Sequence, residues 1–213
     1  MIRNFSVSQP LWFSVPFLLN LILMIAIAVL VVGCKQPESQ LPFKSTDVTE
    51  ANFAKGFRLT DHNGQPRTLL DFKGKVVVLF FGYIHCPDVC PKTLADLASV
   101  MTRLGADSDK VQVLFVTLDP ERDTPDILAK FVPSFNPAFI GLFGSIEETA
   151  KTAAEYKLVF NKQPGNGQGN YALDHSAGTY IYDPSGKLRL YASYGQGVEE
   201  LAGDIKILLK NRH

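Results

Sequence analysis

Two continuous apolar runs constrain the fold of this chain more than any other feature. Residues 75–81 read KVVVLFF between two glycines, and residues 111–118 read VQVLFVTL. Strands buried on both faces of a parallel sheet have this composition. Between the runs, apolar residues recur at helical spacing over residues 94–104. A strand, a helix and a second strand predict a right-handed crossover and an α/β fold.

Weaker patterns extend the fold on both sides of this unit. They predict a hairpin of residues 53–60 and 67–70 turning at Asn63 and Gly64, a helix over 124–131 ended by Pro133, a helix capped by Ser145 and Glu148 that runs to Tyr156, a hairpin of 179–182 and 188–194, and a helix over 198–209. The glycine-rich segment 164–170 is predicted to be a flexible loop. Because it follows no buried strand and opens no helix, it does not indicate a phosphate site.

The first 33 residues are predicted to be a targeting segment or an anchor rather than part of the domain. They carry one charge, Arg3, and residues 21–32 are all apolar. The segment ends in VVGC, which resembles the lipobox of bacterial lipoproteins and implies lipidation of Cys34. An uncleaved membrane helix over residues 11–33 is the alternative. Both interpretations predict a membrane-attached domain that faces the periplasm or the outer cell surface.

Residues 34–50 are predicted to be a tether, since they lack apolar periodicity and carry two prolines. One domain over residues 51–213 follows. The chain of 213 residues has no net charge and no basic cluster, which excludes the usual nucleic-acid binders. If Cys34 is lipidated, the domain keeps only Cys86 and Cys90, too few for a disulfide-stapled scaffold.

The two cysteines follow the first apolar run in FFGYIHCPDVCPKTL, residues 80–94. Each precedes a proline, which disfavours helical backbone at the preceding residue. We therefore expect a turn between the cysteines, Cys90 at the helix N-cap and Pro91 at the first helical position. Both sulfurs would lie at a helix N-terminus, whose dipole lowers the pKa of a thiol. Ligands of open α/β sheets bind at this edge, although two buried structural thiols remain the alternative.

The position of the pair between a strand and a helix resembles thioredoxin. Thioredoxin-like reductases carry C-x-x-C, however, and peroxiredoxins carry Thr where Tyr83 stands. Three motifs instead resemble the Sco/SenC family of copper-delivery proteins for cytochrome c oxidase: FGYIHCPDVCP at 81–91, LDPERDTP at 118–125 and LDHS at 173–176. Ile84 stands where Thr is usual in the first motif.

This resemblance implies a thioredoxin-like domain, with a central mixed sheet flanked by helices, that binds one copper through Cys86, Cys90 and His175. The chemistry of these ligands agrees, because thiolates select Cu(I) while imidazole also suits Cu(II). The resemblance to thioredoxin would place a cis-proline just before the strand at Thr179. His175 stands there instead, and no proline occurs between residues 165 and 183. Three protein ligands leave an open position for transfer to a partner.

Two further residues are expected near the copper. His85 adjoins Cys86 and is expected to be a solvated neighbour, a support for a ligand or a reserve ligand. Asp119 follows the second apolar run, at the same sheet edge. It either caps its own turn or supplies a charge that tunes the site or docks the recipient.

The resemblance also implies the partners. They are the copper-containing subunit of cytochrome c oxidase and an upstream copper donor, in addition to the membrane. The alternative function is a thiol-disulfide oxidoreductase that uses Cys86 and Cys90 to reduce the copper-ligating cysteines of that subunit. A structural zinc site fits less well, because such sites usually take four protein ligands.

Overall fold

The computed structural model describes residues 42–167 and 170–211. The predictions for the targeting segment and for Cys34 lie outside this part of the chain, as does His213. Within the described ranges, no helix has both the length and the apolar character needed to cross a membrane.

A mixed sheet of eight strands forms the centre of the domain. The seventh and eighth strands of the chain form a separate two-stranded sheet. The strands are β1 (Thr46–Asp47), β2 (Arg58–Asp61), β3 (Pro66–Thr68), β4 (Val76–Gly82), β5 (Val111–Thr117), β6 (Ile140–Phe143), β7 (Phe160–Gly167), β8 (Asn170–His175), β9 (Thr179–Tyr182) and β10 (Leu188–Ala192). The main sheet has the order β1-β10-β9-β4-β5-β6-β2-β3. Strands β4, β5 and β6 are parallel, and the other neighbours are antiparallel.

Four α-helices accompany the sheet in the described residues. They are α1 (Val89–Leu104), α2 (Pro125–Phe135), α3 (Ile146–Glu155) and α4 (Val198–Lys210). Helix α1 packs against α4, and α2 packs against β6. Ser145 and Glu148 form the predicted capping box at the start of α3. These elements confirm the predicted α/β class and the predicted hairpin at Asn63 and Gly64.

The two apolar runs form adjacent parallel strands, as predicted. Every residue of β4 and of β5 is buried. Their register pairs Val76 with Val111 and Gly82 with Thr117. The two strands therefore end side by side, and the segments that follow them start from the same edge of the sheet.

The predicted tether, residues 34–50, includes residues that belong to the folded domain. Strand β1 pairs with β10 at the edge of the main sheet. Just before it, the backbone N–H groups of Lys44 and Ser45 donate to the carboxylate of Asp204 on α4 at 2.8 and 2.7 Å. The domain therefore includes residues 44–50. A strand of two residues is too short to show apolar alternation, which is why the sequence pattern missed it.

Two other predictions about elements were wrong. Helix α2 continues through Pro133 to Phe135, because a proline in the last turn removes a single hydrogen bond. The predicted loop over residues 164–170 belongs largely to an antiparallel hairpin of β7 and β8, in which Phe160 pairs with His175 and Gly167 with Asn170. Strand β6 was also not predicted.

Candidate metal centre

The candidate centre begins with the loop that leaves the end of β4. Cys86 lies half-buried in this loop, and Cys90 is fully buried in the first turn of α1. Both are free thiols. The main sheet thus places the two predicted sulfur ligands at the carboxyl end of a central strand, where α/β folds bind their ligands.

The start of α1 differs from the prediction by two residues. Asp88 is the N-cap, so Cys90 and Pro91 are the second and third helical residues. The N–H groups of a first helical turn have no partner within the helix, so a proline there loses no hydrogen bond. The steric effect of Pro91 on the residue before it does not keep Cys90 out of the helix.

The predicted low pKa does not hold for Cys90. Burial raises the pKa of the Cys90 thiol, and the neighbouring Cys86 adds to this effect. A thiolate at this depth would lose its water, and that loss outweighs the attraction of the helix dipole. Gly82 makes room for the sulfur, since a β-carbon at that position would lie 2.8 Å from Sγ of Cys90.

His175, the last residue of β8, lies next to Cys90. Its Nε2 lies 3.7 Å from Sγ of Cys90, although 85 positions separate the two residues. Its Nδ1 lies 3.0 Å from the carbonyl oxygen of Ser176. A carbonyl only accepts hydrogen bonds, so Nδ1 carries the proton and Nε2 turns its lone pair toward the sulfur. Burial lowers the pKa of His175, which keeps the ring neutral.

Tyr83 packs against His175 on the buried side of the candidate centre. It is buried, and its ring meets the ring of His175 edge to face, with 6.1 Å between the centroids. The structure therefore brings Cys90 and His175 into contact and places Cys86 in the adjoining loop. In the parts of the chain that the structure describes, no three His, Cys, Asp or Glu side chains already stand as a complete metal cage.

Sequence reasoning missed the role of Asp123, which holds the cysteine loop to β5. Its Oδ2 accepts hydrogen bonds from Ile84 N at 3.0 Å and from Thr117 Oγ1 at 2.6 Å. Its Oδ1 lies 3.6 Å from Nδ1 of His85, whose side chain is half exposed. Burial raises the pKa of Asp123. The available signal was its place in the second motif, four residues after Asp119.

Asp119 lies at the predicted edge, but it is buried and its carboxylate faces the β7–β8 hairpin. Its Oδ2 accepts from Arg122 Nε at 2.5 Å, and its Oδ1 accepts from Tyr171 Oη at 2.5 Å. The predicted docking role does not fit, because a carboxylate with 1% exposure is not presented to a partner. His62, in the turn between β2 and β3, accepts a hydrogen bond from Gly141 N at 3.0 Å.

Comparison with known proteins gives a family match over almost the whole described domain. Residues 45–210 match the family model described as SCO1/SenC. The mitochondrial SCO2 homolog of Mus musculus is 38% identical over 152 residues, which cover 70% of this chain and 60% of that protein. The SCO2-like protein of Rickettsia felis is 31% identical over 172 residues, which cover 79% and 83%. The chain spans less than two thirds of the mammalian mitochondrial relatives it matches.

A solved structure shows the same architecture. Bradyrhizobium japonicum ScoI, determined with copper bound, superposes with a TM-score of 0.67 at 40% identity and covers 72% of this chain and 98% of its own. The thioredoxin-like fold is therefore confirmed. With the family model and these relatives in agreement, the chain belongs to the SCO1/SenC family.

Proposed function

We propose that this protein is a copper chaperone that binds one copper ion through Cys86, Cys90 and His175 and delivers it to the copper-containing subunit of cytochrome c oxidase. One observation carries the proposal: Nε2 of His175 lies 3.7 Å from Sγ of Cys90, with Cys86 in the adjoining loop. Metal bonds of about 2.3 Å to sulfur and about 2.0 Å to nitrogen, as for zinc, separate two ligands of one ion by about 3.5 Å.

The donor atoms suit this cargo. Two thiolates favour Cu(I), and the imidazole nitrogen allows Cu(II) as well. His175 does not have to lose a proton before it binds copper, since its pKa is lowered by burial and its Nε2 is the unprotonated nitrogen. Cys90 must release its proton when copper binds. A three-ligand site leaves a coordination position through which the recipient takes the ion by ligand exchange.

A thiol-disulfide oxidoreductase is the second candidate, and the unequal burial of the two thiols favours it. Half-buried Cys86 would attack a disulfide of the recipient, and buried Cys90 would then attack the mixed disulfide. The two thiols of this protein would become a disulfide, while the recipient's disulfide becomes two thiols. In such a role the imidazole beside Cys90 would accept the proton of that thiol before it attacks.

Copper titration of the reduced protein tests the proposal. We expect about one Cu(I) per chain, with affinity at least about tenfold weaker in Cys86→Ser and in His175→Ala, because each loses one ligand. His62→Ala is the matched histidine control and should bind as the wild type does. If His175→Ala keeps wild-type copper affinity, the chaperone site is wrong. Continued disulfide reduction by that variant would then favour the oxidoreductase.

The proposed location rests on the N-terminal sequence alone. We propose that Cys34 carries the lipid, that the domain works in the periplasm or at the outer cell surface, and that an upstream donor loads it there. Labelling of cells with a fatty-acid probe tests this. The wild type should incorporate the probe and Cys34→Ser should not. An unlabelled wild type that stays in the membrane fraction would favour the uncleaved helix over residues 11–33.

A further inference from the structure

The hairpin that carries His175 has no backbone pairing with the main sheet in the described residues. Strands β7 and β8 pair only with each other. A two-stranded hairpin alone is only marginally stable in water. The position of His175 relative to Cys90 therefore depends on side-chain contacts between this hairpin and the rest of the domain.

Tyr171 makes one contact of this kind, in addition to the packing of Leu173 in the core. Tyr171 lies on β8, four residues before His175. Its hydroxyl donates to Oδ1 of Asp119 at 2.5 Å, across a separation of 52 positions in the chain. Asp119 follows β5 directly and is buried. A hydrogen bond to a buried carboxylate is among the stronger neutral-to-charged contacts in proteins, so it fixes β8 to the end of a central strand.

Arg122 completes the contact. Its Nε donates to Oδ2 of Asp119 at 2.5 Å, and its Nη1 donates to the carbonyl oxygen of Tyr171 at 3.1 Å. The centre of its guanidinium group lies 3.5 Å from the ring centroid of Tyr171, in a cation–π contact. One side chain thus binds the carboxylate, the backbone and the ring. We call Asp119, Arg122 and Tyr171 the hairpin clamp.

A second contact between the hairpin and the rest of the domain is exposed to solvent. Lys162 on β7 pairs with Glu121, and its Nζ lies 4.7 Å from the ring centroid of Tyr171. Exposed ion pairs contribute little to stability. The hairpin clamp, whose carboxylate is buried, therefore contributes more to the attachment than this exposed pair does.

We propose that the hairpin clamp positions His175 for copper, so that Asp119, Arg122 and Tyr171 set the affinity of the site without touching the ion. The inference rests on the proposed function, because it concerns the same three-ligand site. It assigns Asp119 a role other than docking or tuning by charge: the carboxylate holds Tyr171, Tyr171 holds β8, and β8 presents the imidazole.

The test compares Tyr171→Phe and Asp119→Asn with Tyr194→Phe, which removes the hydroxyl of an exposed tyrosine. Hydrogen exchange in the copper-free, reduced protein measures the attachment directly. We expect the amides of residues 171–175 to exchange about tenfold faster in both clamp variants, as loss of a charge-assisted hydrogen bond implies. The amides of β4 should keep their wild-type rates, which shows that the whole domain has not been destabilised.

Copper measurements on the same variants complete the test. We expect about tenfold weaker Cu(I) binding and altered hyperfine splitting in the electron paramagnetic resonance spectrum of the Cu(II) form, since the nitrogen ligand is no longer held in place. In the His175→Ala background, Tyr171→Phe should have no further effect on affinity. Unchanged exchange at residues 171–175 would overturn the clamp, and faster exchange with wild-type copper affinity would overturn its positioning role. A wild type that holds no copper would refute the proposed function, while the exchange experiment would still decide on the clamp.

Discussion

At the scale of single residues, Gly82 determines whether the buried sulfur fits. It ends β4, and a β-carbon there would lie 2.8 Å from Sγ of Cys90 and 2.9 Å from a ring carbon of Phe115. Both neighbours are fully buried. Neither can move into solvent to make room, so the site requires glycine for close approach rather than for backbone freedom.

Gly82→Ala should therefore destabilise the protein and displace Cys90. We expect the free energy of unfolding to fall by about 1–3 kcal/mol, the usual effect of overpacking, and copper affinity to fall with it. Urea unfolding and copper titration measure the two effects. Gly203→Ala is the matched control, because Gly203 lies within α4 and an added β-carbon meets nothing within 4 Å. That variant should be as stable as the wild type or more so. Equal behaviour of the two variants would show that the close contact at Gly82 is unimportant.

The candidate ligand residues could be chosen from sequence, but the protonation of Cys90 could not. Motifs at two places in the chain pointed to Cys86, Cys90 and His175, and the structure brings His175 to Cys90. The helix N-terminus suggested a lowered pKa for the thiols, whereas burial raises that of Cys90. Depth below the surface depends on how α1 packs, and no local pattern of residues reports it.

At the scale of elements, α4 holds the first strand of the domain through one carboxylate. Asp204 is buried on α4 and accepts the backbone N–H groups of Lys44 and Ser45. Gln196 approaches the same carboxylate at 3.4 Å. These bonds fix the chain just before β1.

Asp204→Ala should loosen this edge of the sheet. Two backbone N–H groups lose their acceptor, and we expect the free energy of unfolding to fall by about 2–4 kcal/mol. Urea unfolding measures the loss, and limited proteolysis should show earlier cleavage in residues 42–50. Asp109→Ala, at an exposed position, is the control and should change stability little. If Asp204→Ala matches that control, the chain before β1 is not held by this carboxylate.

The elements that sequence predicted correctly have strong local patterns, and the others do not. Strands β4 and β5 are continuous apolar runs, and α3 begins with the capping box of Ser145 and Glu148. The sequence of the β7–β8 hairpin consists largely of polar residues and glycines, so it shows no apolar alternation. The contact of Asp119 with Tyr171 joins positions 52 apart. It follows from the fold and not from any motif, so the clamp could not have been predicted.

At the scale of the whole molecule, burial makes both ends of the Cys90–His175 contact neutral. The pKa of Cys90 is raised and that of His175 is lowered, in each case mainly by loss of water. The reduced, copper-free domain therefore carries a protonated thiol against an unprotonated imidazole. Copper binding at the proposed site then requires release of a proton from Cys90 but of none from His175.

This arrangement predicts opposite effects of pH on the stability of the copper-free protein and on the stabilisation that copper adds. An unfolded cysteine loses its proton near about pH 8.5, while Cys90 keeps it in the folded state. The stability linked to Cys90 is thus fully present below that pH and falls above it, by at most about 1.4 kcal/mol per pH unit. Copper removes the proton, so the stabilisation that copper adds should grow with pH over the same range.

Urea unfolding of the reduced protein between pH 7.5 and 9.5, with and without Cu(I), measures both slopes. Unfolded tyrosines titrate near about pH 10 and add to the decline at the upper end of this window, so the difference between the wild type and Cys90→Ala measures the contribution of Cys90. Cys90→Ala should show a shallower decline without copper and a much smaller gain with it. If the wild type and Cys90→Ala decline in parallel, burial does not hold the proton on this thiol. If the stabilisation that copper adds does not depend on pH, the ion binds without releasing the Cys90 proton. Cys90 would then not be a ligand.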